Sequence, residues 1–203
     1  MTAIDSVTLE VPDPAAAAAF YDAAFGLGDR LRLRPAQDAT GGFRGFTLSL
    51  VVSQPSTVGA LVEAAVDAGA TAIKPAAKSF WGYGGVLQAP DGAIWKVATS
   101  AKKDSGPRTR QVDQVVLLLG AAEVKASKRF YTERGLAVGK SFGSKYVEFA
   151  SGSGRISLAL YGRRALAKDA GVPPEGSGSH RIVVTGGTEP FTDPDGFRWE
   201  PAA

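Results

Sequence analysis

The chain has 203 residues, of which 44% are hydrophobic and 21% charged, the composition of a folded globular protein. It contains no cysteine and one histidine, which excludes disulfides, cysteine-ligated metals and any two-histidine metal motif within one chain. The net charge of +3 is small and its basic runs are short, so we expect no nucleic-acid partner. No signal-peptide pattern and no apolar stretch of about 20 residues occurs, so we expect a cytoplasmic protein without a membrane partner.

The first predicted element is a strand over residues 6–11, in which polar and apolar side chains alternate. Its apolar face is expected to enter the core, while Ser6 and Thr8 lie on a face that lines a ligand site. A helix follows, with Asp13 as its cap and Pro14 in its first turn.

Later elements are predicted from turn residues and apolar runs. In the first half we expect a helix over 57–70, which ends at Gly69, and strands over 84–89 and 93–99 around the turn at 90–92. In the second half we expect a helix over 122–134, strands over 145–150 and 155–161 with a turn at 151–154, and strands over 190–192 and 196–200.

These elements repeat along the chain. Asp5 matches Asp113, Phe20-Tyr21 matches Phe130-Tyr131, Gly26-Leu27 matches Gly135-Leu136, and Pro90-Asp91-Gly92 matches Pro194-Asp195-Gly196. The spacing is nearly constant, which predicts a duplicated module: residues 1–100, a polar linker over 101–111, and residues 112–203. The second half lacks a counterpart of the 57–70 helix, so neither half is a complete copy.

Both the opening pattern (strand, Phe-Tyr, Gly-Leu) and the Pro-Asp-Gly endings followed by Trp95 and Trp199 resemble the vicinal oxygen chelate superfamily. That superfamily includes glyoxalase I, bleomycin-resistance proteins, fosfomycin-resistance enzymes and extradiol dioxygenases. The resemblance covers essentially the whole chain. It implies an α+β fold of tandem βαβββ modules, whose curved mixed sheets surround a shared cleft, in a monomer or a homodimer.

The resemblance also implies where metal ligands would lie: a His or Gln on the first strand, a Glu after the Pro-Asp-Gly turn and, in many members, a His between them. The first half carries Ser6, Leu48 and Lys96 at these positions. A charged ammonium has no lone pair to offer a metal and repels it. We therefore expect no metal in the first half.

The second half carries Gln114, His180 and Glu200 at the same positions. These side chains are candidate ligands of one Ni²⁺, Mn²⁺, Fe²⁺ or Zn²⁺ ion, with Glu200 as a possible catalytic base. The alternative is that Gln114 binds a neighbouring side chain, His180 ends a surface strand and Glu200 is solvated. The expectation we favour is that no cofactor is bound.

Three further residues are candidates for ligand binding. Lys96 is expected either to form an ion pair with Glu10 or Glu200 or to attract an anionic ligand group. Trp81 and Tyr83 lie in a glycine-rich loop, where they either stack on a planar ligand or fill a gap between the modules. Gln114 is a ligand-binding candidate even without a metal. Trp95 and Trp199 are expected in the core.

Three functions are compatible with these residues. The favoured one is binding of a small molecule in the cleft without a full metal site, similar to the sequestration of an antibiotic by bleomycin-resistance proteins. The alternative is a metal-dependent lyase, isomerase or dioxygenase that uses Gln114, His180 and Glu200. The third is a protein-interaction module without a small ligand.

Overall fold

The computed structural model describes residues 3–151 and 155–202. Within them the chain forms four α-helices, α1 (Pro14–Ala24), α2 (Pro55–Asp67), α3 (Val124–Glu133) and α4 (Arg163–Ala170), and a short 3₁₀ helix (Gly28–Arg30). The first three match predicted helices within a few residues, whereas α4 was not predicted. None of these helices has the length and continuous apolar character that a membrane span requires.

Local sequence explains the helix ends. The Asp13 carboxylate accepts hydrogen bonds from the backbone N–H groups of Ala15 and Ala16, at 2.9 and 3.0 Å, which confirms Asp13 as the cap of α1. Gly171 follows α4 with a positive φ of 81°, a conformation that glycine adopts without strain.

The strands occur in both halves of the chain. The first half contributes β1 (Ile4–Val11), β2 (Leu31–Pro35), β3 (Thr40–Gly42), β4 (Phe46–Val51), β5 (Thr71–Ser79), β6 (Gly82–Gln88) and β7 (Ile94–Thr99). The second half contributes β8 (Gln114–Ala121), β9 (Val138–Phe142), β10 (Tyr146–Phe149), β11 (Ile156–Gly162), β12 (Gly176–Gly178), β13 (Ile182–Gly186), β14 (Phe191–Thr192) and β15 (Arg198–Glu200). Residues 152–154 of the predicted 151–154 turn lie outside the described part.

Thirteen of these strands form one mixed sheet with two parts. The eight-stranded part has the order β9-β10-β11-β8-β4-β7-β6-β5, and the five-stranded part has the order β2-β1-β13-β15-β14. They meet where Ile4 of β1 pairs with Ile156 of β11. The α+β prediction is confirmed.

Each part of the sheet combines strands from both halves of the chain. β4 pairs antiparallel with β8 in the eight-stranded part, and β1 pairs antiparallel with β13 in the five-stranded part. Two complete βαβββ units are present, β4-α2-β5-β6-β7 and β8-α3-β9-β10-β11, and they form the eight-stranded part together. The five-stranded part takes the reduced units β1-α1-β2 and β13-β14-β15.

One continuous apolar core joins the two parts of the sheet to α1, α2 and α3. Trp95 and Trp199 are 1% exposed, which confirms their assignment to the core. The core takes residues from both halves, so the halves share one hydrophobic interior.

The predicted linker, 101–111, contains no helix or strand, but it is fixed in place. The buried Gln54 side chain accepts hydrogen bonds from the backbone N–H groups of Ser105 and Gly106, at 2.8 and 2.9 Å. Its amide nitrogen donates to the carbonyl of Pro107 at 2.8 Å. Gln54 thereby holds the connecting segment against the beginning of α2.

Candidate functional site

Alternate residues of the five-stranded part form a charged surface, here called the charged face: Ser6, Thr8, Glu10, Arg34, Thr185, Arg198 and Glu200. Glu10 is its centre, because its carboxylate is 8% exposed and accepts hydrogen bonds from both Arg34 and Arg198. Arg34 also binds Glu200, with 3.0 Å between Nη1 and Oε1. The two carboxylates are therefore held by guanidinium groups.

Sequence reasoning placed Ser6, Thr8 and Glu200 in a site, and the structure places all three on the charged face. Ser6 lies beside Thr185, which lies beside Glu200, in one row across three strands. The Ser6 hydroxyl is buried without a hydrogen-bond partner in the described part of the chain. The sequence analysis missed Arg34, although the alternation in Leu31–Pro35 is a strand pattern that could have indicated it.

The corresponding surface of the eight-stranded part is covered by α4. Leu166, Ala167 and Ala170 of α4 form a second apolar cluster with sheet residues that include Val86 and Ile94. Two polar contacts hold the end of this helix. The Lys96 ammonium lies 2.8 Å from the Asp169 carboxylate, and the Lys74 ammonium donates to the Asp169 carbonyl at 2.6 Å.

The partner of Lys96 differs from the expectation. An ion pair was one of the two predicted roles, but the partner is Asp169 of α4 rather than Glu10 or Glu200. Those two carboxylates lie in the five-stranded part. The error arose because α4 was not predicted, so no sequence argument could place Asp169 beside β7.

A cavity of about 290 Å³, here called the Trp81 cavity, opens beside this ion pair. Trp81, Tyr83 and Lys96 all line it, so the structure brings these three predicted site residues together. Trp81 is 83% exposed, whereas the Tyr83 hydroxyl donates to the Ala76 carbonyl at 3.2 Å. Lys74 and Asp169 also line the cavity, which leaves one positive charge in excess among the three charged side chains.

Gln114 and His180 lie apart from these groups. The Gln114 amide donates to the Ser157 hydroxyl at 2.6 Å, the neighbour-binding role that was the alternative prediction. His180 precedes β13, and its Nδ1 and Nε2 lie 2.5 and 3.0 Å from the carbonyl oxygens of Arg44 and Asp195. The ring also stacks on Phe197. Both ring nitrogens thus already face backbone acceptors.

The register of the repeat also differs from the sequence alignment. β1 spans 4–11 and β8 spans 114–121, so equal positions in the two strands place Ser6 opposite Val116 rather than Gln114. Val116 pairs with Ser49, and Ser49 pairs with Lys96, in a row that corresponds to Ser6, Thr185 and Glu200. Gln114 therefore lies two residues from the position assigned to it.

A buried Tyr-Asp-Trp contact occurs in both halves. The Tyr21 hydroxyl donates to Asp91 at 2.7 Å and accepts from the Trp95 indole, and the Tyr131 hydroxyl donates to Asp193 at 2.6 Å and accepts from Trp199. Burial, followed by the nearby carboxylate, raises the pKa of both tyrosines well above the ordinary value. Both phenols are therefore neutral structural donors.

Comparison with solved structures identifies the architecture. The structure of glyoxalase I from Zea mays aligns with a TM-score of 0.62 at 14% identity, over 99% of this chain and 92% of that chain. A putative dioxygenase from Bacillus subtilis subsp. subtilis str. 168 aligns with a TM-score of 0.62 at 12% identity, over 98% and 84%. The chain has the vicinal oxygen chelate fold. No protein-family model matches its sequence, and no curated protein sequence matches it.

In the family that the sequence resembles, metal ligands are expected on the first strand and after the Pro-Asp-Gly turn. In this structure those positions lie on the two rows described above, and the residues present do not fit a metal ion. In the eight-stranded part, Val116 offers no donor atom and Lys96 offers a cation. In the five-stranded part, Glu200 is already bound to Arg34. No group of three or more His, Cys, Asp or Glu side chains suited to a metal occurs among the described residues.

The structure does not bring together the candidate ligands Gln114, His180 and Glu200. Gln114 lies on β8 and Glu200 on β15, four steps apart in the strand order, and each has a different partner. His180 is fixed by backbone carbonyls. A catalytic role of Glu200 beside a metal held by these three residues has no support in this geometry.

Proposed function

We propose that the protein binds a small molecule in the Trp81 cavity without using a metal ion. The observation that carries this proposal is the convergence of Trp81, Tyr83 and Lys96 on one open cavity of about 290 Å³. An exposed indole offers a flat apolar surface for a planar ligand. The excess positive charge on the cavity wall favours a ligand with one acidic group.

The glycines of β6 support this assignment, because they keep the cavity open. Gly84 and Gly85 line it without side chains. A Cβ atom on Gly84 would lie 2.9 Å from the Val97 carbonyl oxygen, and one on Gly85 would lie 3.1 Å from the Ala76 backbone. The close approach of these strands therefore requires glycine at position 84, and a side chain at position 85 would force the Ala76 backbone to shift slightly.

Binding assays with a panel of small aromatic acids and their uncharged amides test the proposal. The chain has three tryptophans, and Trp95 and Trp199 are buried, so fluorescence quenching by a ligand reports on Trp81. We expect at least one acid to bind more tightly than its amide, with no effect of a chelator.

Two variants locate the binding. We expect Trp81→Ala and Lys96→Gln each to weaken ligand binding. Binding to Trp81→Ala is measured by calorimetry, because this variant lacks the fluorescent reporter. Phe142→Ala is the control, because Phe142 is an exposed aromatic residue that does not line the cavity. Equal losses of affinity for Phe142→Ala and Trp81→Ala, or no binding across the panel, would contradict the proposal.

A further inference from the structure

A second cavity, of about 270 Å³ and here called the Arg44 cavity, lies near the other end of β7. It is lined by Ile94, whereas the Trp81 cavity is lined by Ala98. Most of its wall is apolar, with the side chains of Phe43, Phe46, Ile94, Val172 and Pro173. At roughly 30 Å³ per water-sized group, its volume suits a ligand of about ten non-hydrogen atoms.

Among the described residues that line this cavity, Arg44 has the only cationic side chain, and its hydrogen-bonding capacity is not fully used. Its Nη2 donates to the Asp91 carbonyl, while its Nη1 is buried without an acceptor in the described part of the chain. No carboxylate lies within salt-bridge distance of Arg44 among the described residues, although the charge of Asp91 is near. A guanidinium normally donates through several N–H groups, so this one has an unused donor.

The local backbone holds Arg44 in this position. Gly92 has a φ of +89°, and a Cβ atom there would lie 2.8 Å from Nη2 of Arg44. The Pro-Asp-Gly turn therefore leaves room for the guanidinium. On the other side, His180 contacts the Arg44 carbonyl at 2.5 Å, which fixes the backbone of residue 44.

Charges of both signs surround the Arg44 guanidinium. Burial lowers the pKa of Arg44, the Asp91 carboxylate opposes this effect, and the positive charge of Arg181 adds a smaller lowering. The Asp91 carboxylate accepts from Tyr21 and from the backbone N–H of Ala93, so both of its oxygens are occupied. Glu175 also lines the cavity, but it is exposed, and water screens its charge.

We propose that the Arg44 cavity binds a small organic acid, whose carboxylate accepts hydrogen bonds from Arg44 and whose apolar body contacts Phe43, Ile94 and Pro173. A guanidinium recognises a carboxylate through paired N–H donors, and the apolar wall suits a hydrocarbon body better than a phosphate ion. This site uses none of the residues assigned to the Trp81 cavity, so either proposal can fail without the other.

Isothermal titration calorimetry with phenylacetate, which has ten non-hydrogen atoms by its formula, tests this inference. We expect phenylacetate to bind. The uncharged phenylacetamide is expected to bind at least about tenfold more weakly, because it loses one charged hydrogen bond to Arg44. Arg44→Gln is expected to weaken phenylacetate to the same extent. The affinity of Arg44→Lys for phenylacetate is expected to lie between those of the unchanged protein and Arg44→Gln, because an ammonium retains the positive charge but lacks the planar pair of N–H donors.

Two controls assign the result to this cavity. Arg32→Gln removes an arginine that lies 3.7 Å from the Asp5 carboxylate and does not line the cavity, and this change is expected to leave phenylacetate binding unchanged. Backbone NMR shifts are expected at Phe43 and Ile94 rather than at Trp81. Circular dichroism identifies any variant that fails to fold. If Arg44→Gln fails to fold, the comparison of phenylacetate with phenylacetamide on the unchanged protein tests the inference instead.

Several results would overturn the inference. They are no phenylacetate binding, equal binding of the amide, unchanged binding by a folded Arg44→Gln variant, or shifts confined to the Trp81 cavity. Inorganic phosphate that competes as strongly as phenylacetate would show a general anion site instead of a carboxylate site.

Discussion

The eight-stranded and five-stranded parts of the sheet have the same strand register but different chemistry on their surfaces. In the eight-stranded part, α4 lies on the sheet, and an apolar cluster joins the helix to the strands. In the five-stranded part, the described residues after β13 form no helix, and the charged groups of the charged face are arginines and glutamates. The row that begins at Val116 in the eight-stranded part ends in Lys96, and the equivalent row that begins at Ser6 in the five-stranded part ends in Glu200. Each is neutralised by a partner of opposite charge.

This difference shows that the two rows are unsuited to a metal ion for different chemical reasons. In the eight-stranded part the residues themselves are unsuitable, since Val116 and Lys96 provide no ligand atom. In the five-stranded part the carboxylates are present, but Arg34 and Arg198 hold them. Inspection of residue types alone detects only the first of these two cases.

The largest expected effect comes from dividing the chain. Residues 1–100 and 101–203, produced separately, are each expected to lack cooperative unfolding, because β4 needs β8 and β1 needs β13. Co-expression of the two pieces is expected to restore a folded complex. Circular dichroism and size-exclusion chromatography measure both outcomes, and a separately folded half would contradict the exchange of strands between halves.

Next in size is the loss of the Glu10 charge. Glu10→Gln leaves Arg34 and Arg198 without their shared partner, and because both arginines are partly solvated we expect a loss of about 2 kcal/mol in unfolding free energy. Lys96→Gln is the matched variant in the eight-stranded part. Its ion pair is more exposed, so we expect a loss below about 1 kcal/mol.

Urea unfolding of both variants measures this difference between the two parts. Equal losses of unfolding free energy in the two variants would show that the burial of Glu10 does not make its ion pairs more stabilising than the exposed Lys96–Asp169 pair.

A smaller effect is expected for the buried tyrosines. Tyr131→Phe removes the donor to the buried Asp193 carboxylate, and we expect a loss of about 1–2 kcal/mol. Tyr21→Phe removes the equivalent hydrogen bond to Asp91. Because Asp91 is less buried than Asp193, we expect a smaller loss of unfolding free energy. Thermal unfolding ranks the two variants, and the reverse order would show that burial of the aspartate does not set the cost.

The smallest effect is expected from metal ions. After incubation with Ni²⁺, Mn²⁺, Fe²⁺ or Zn²⁺ and dialysis, we expect elemental analysis to find only background metal and no change in thermal stability. A stoichiometric ion that is lost in a Glu200→Gln variant would instead favour the metal-dependent alternative.

Sequence reasoning predicted the local elements well, because short-range signals determine them. The Asp13 cap, the glycine at 69 and the Pro-Asp-Gly turns each act within a few residues, and the helices and hairpins appeared near the predicted positions. The family resemblance correctly indicated the fold. The pairing of β1 with β13 could not be read from these signals, because strand partners depend on contacts distant in sequence.

The site was predicted only in part for the same reason. Trp81, Tyr83 and Lys96 were each predicted as ligand-binding candidates, but their convergence was not predicted. They line one cavity because Tyr83 and Lys96 lie on the paired strands β6 and β7 and Trp81 directly precedes β6. Asp169 and Arg34 depend on elements whose position is set by tertiary packing. The error at Gln114 has a different cause. Residues two apart on a strand lie on the same face, so the alternation of polar and apolar residues cannot reveal an alignment that is wrong by two positions.

The edges of the eight-stranded part bear on how the protein behaves at high concentration. β5 is an outermost strand of nine residues, and its unpaired backbone groups resemble a template for another chain. Two register shifts, at Ala72/Lys74 and Lys74/Ala77, interrupt its pairing with β6, and Pro75 within it lacks a backbone donor. Lys74 and Lys78 add like charges. This edge strand is thereby a poor template for pairing with another chain and a poor nucleus for fibrils.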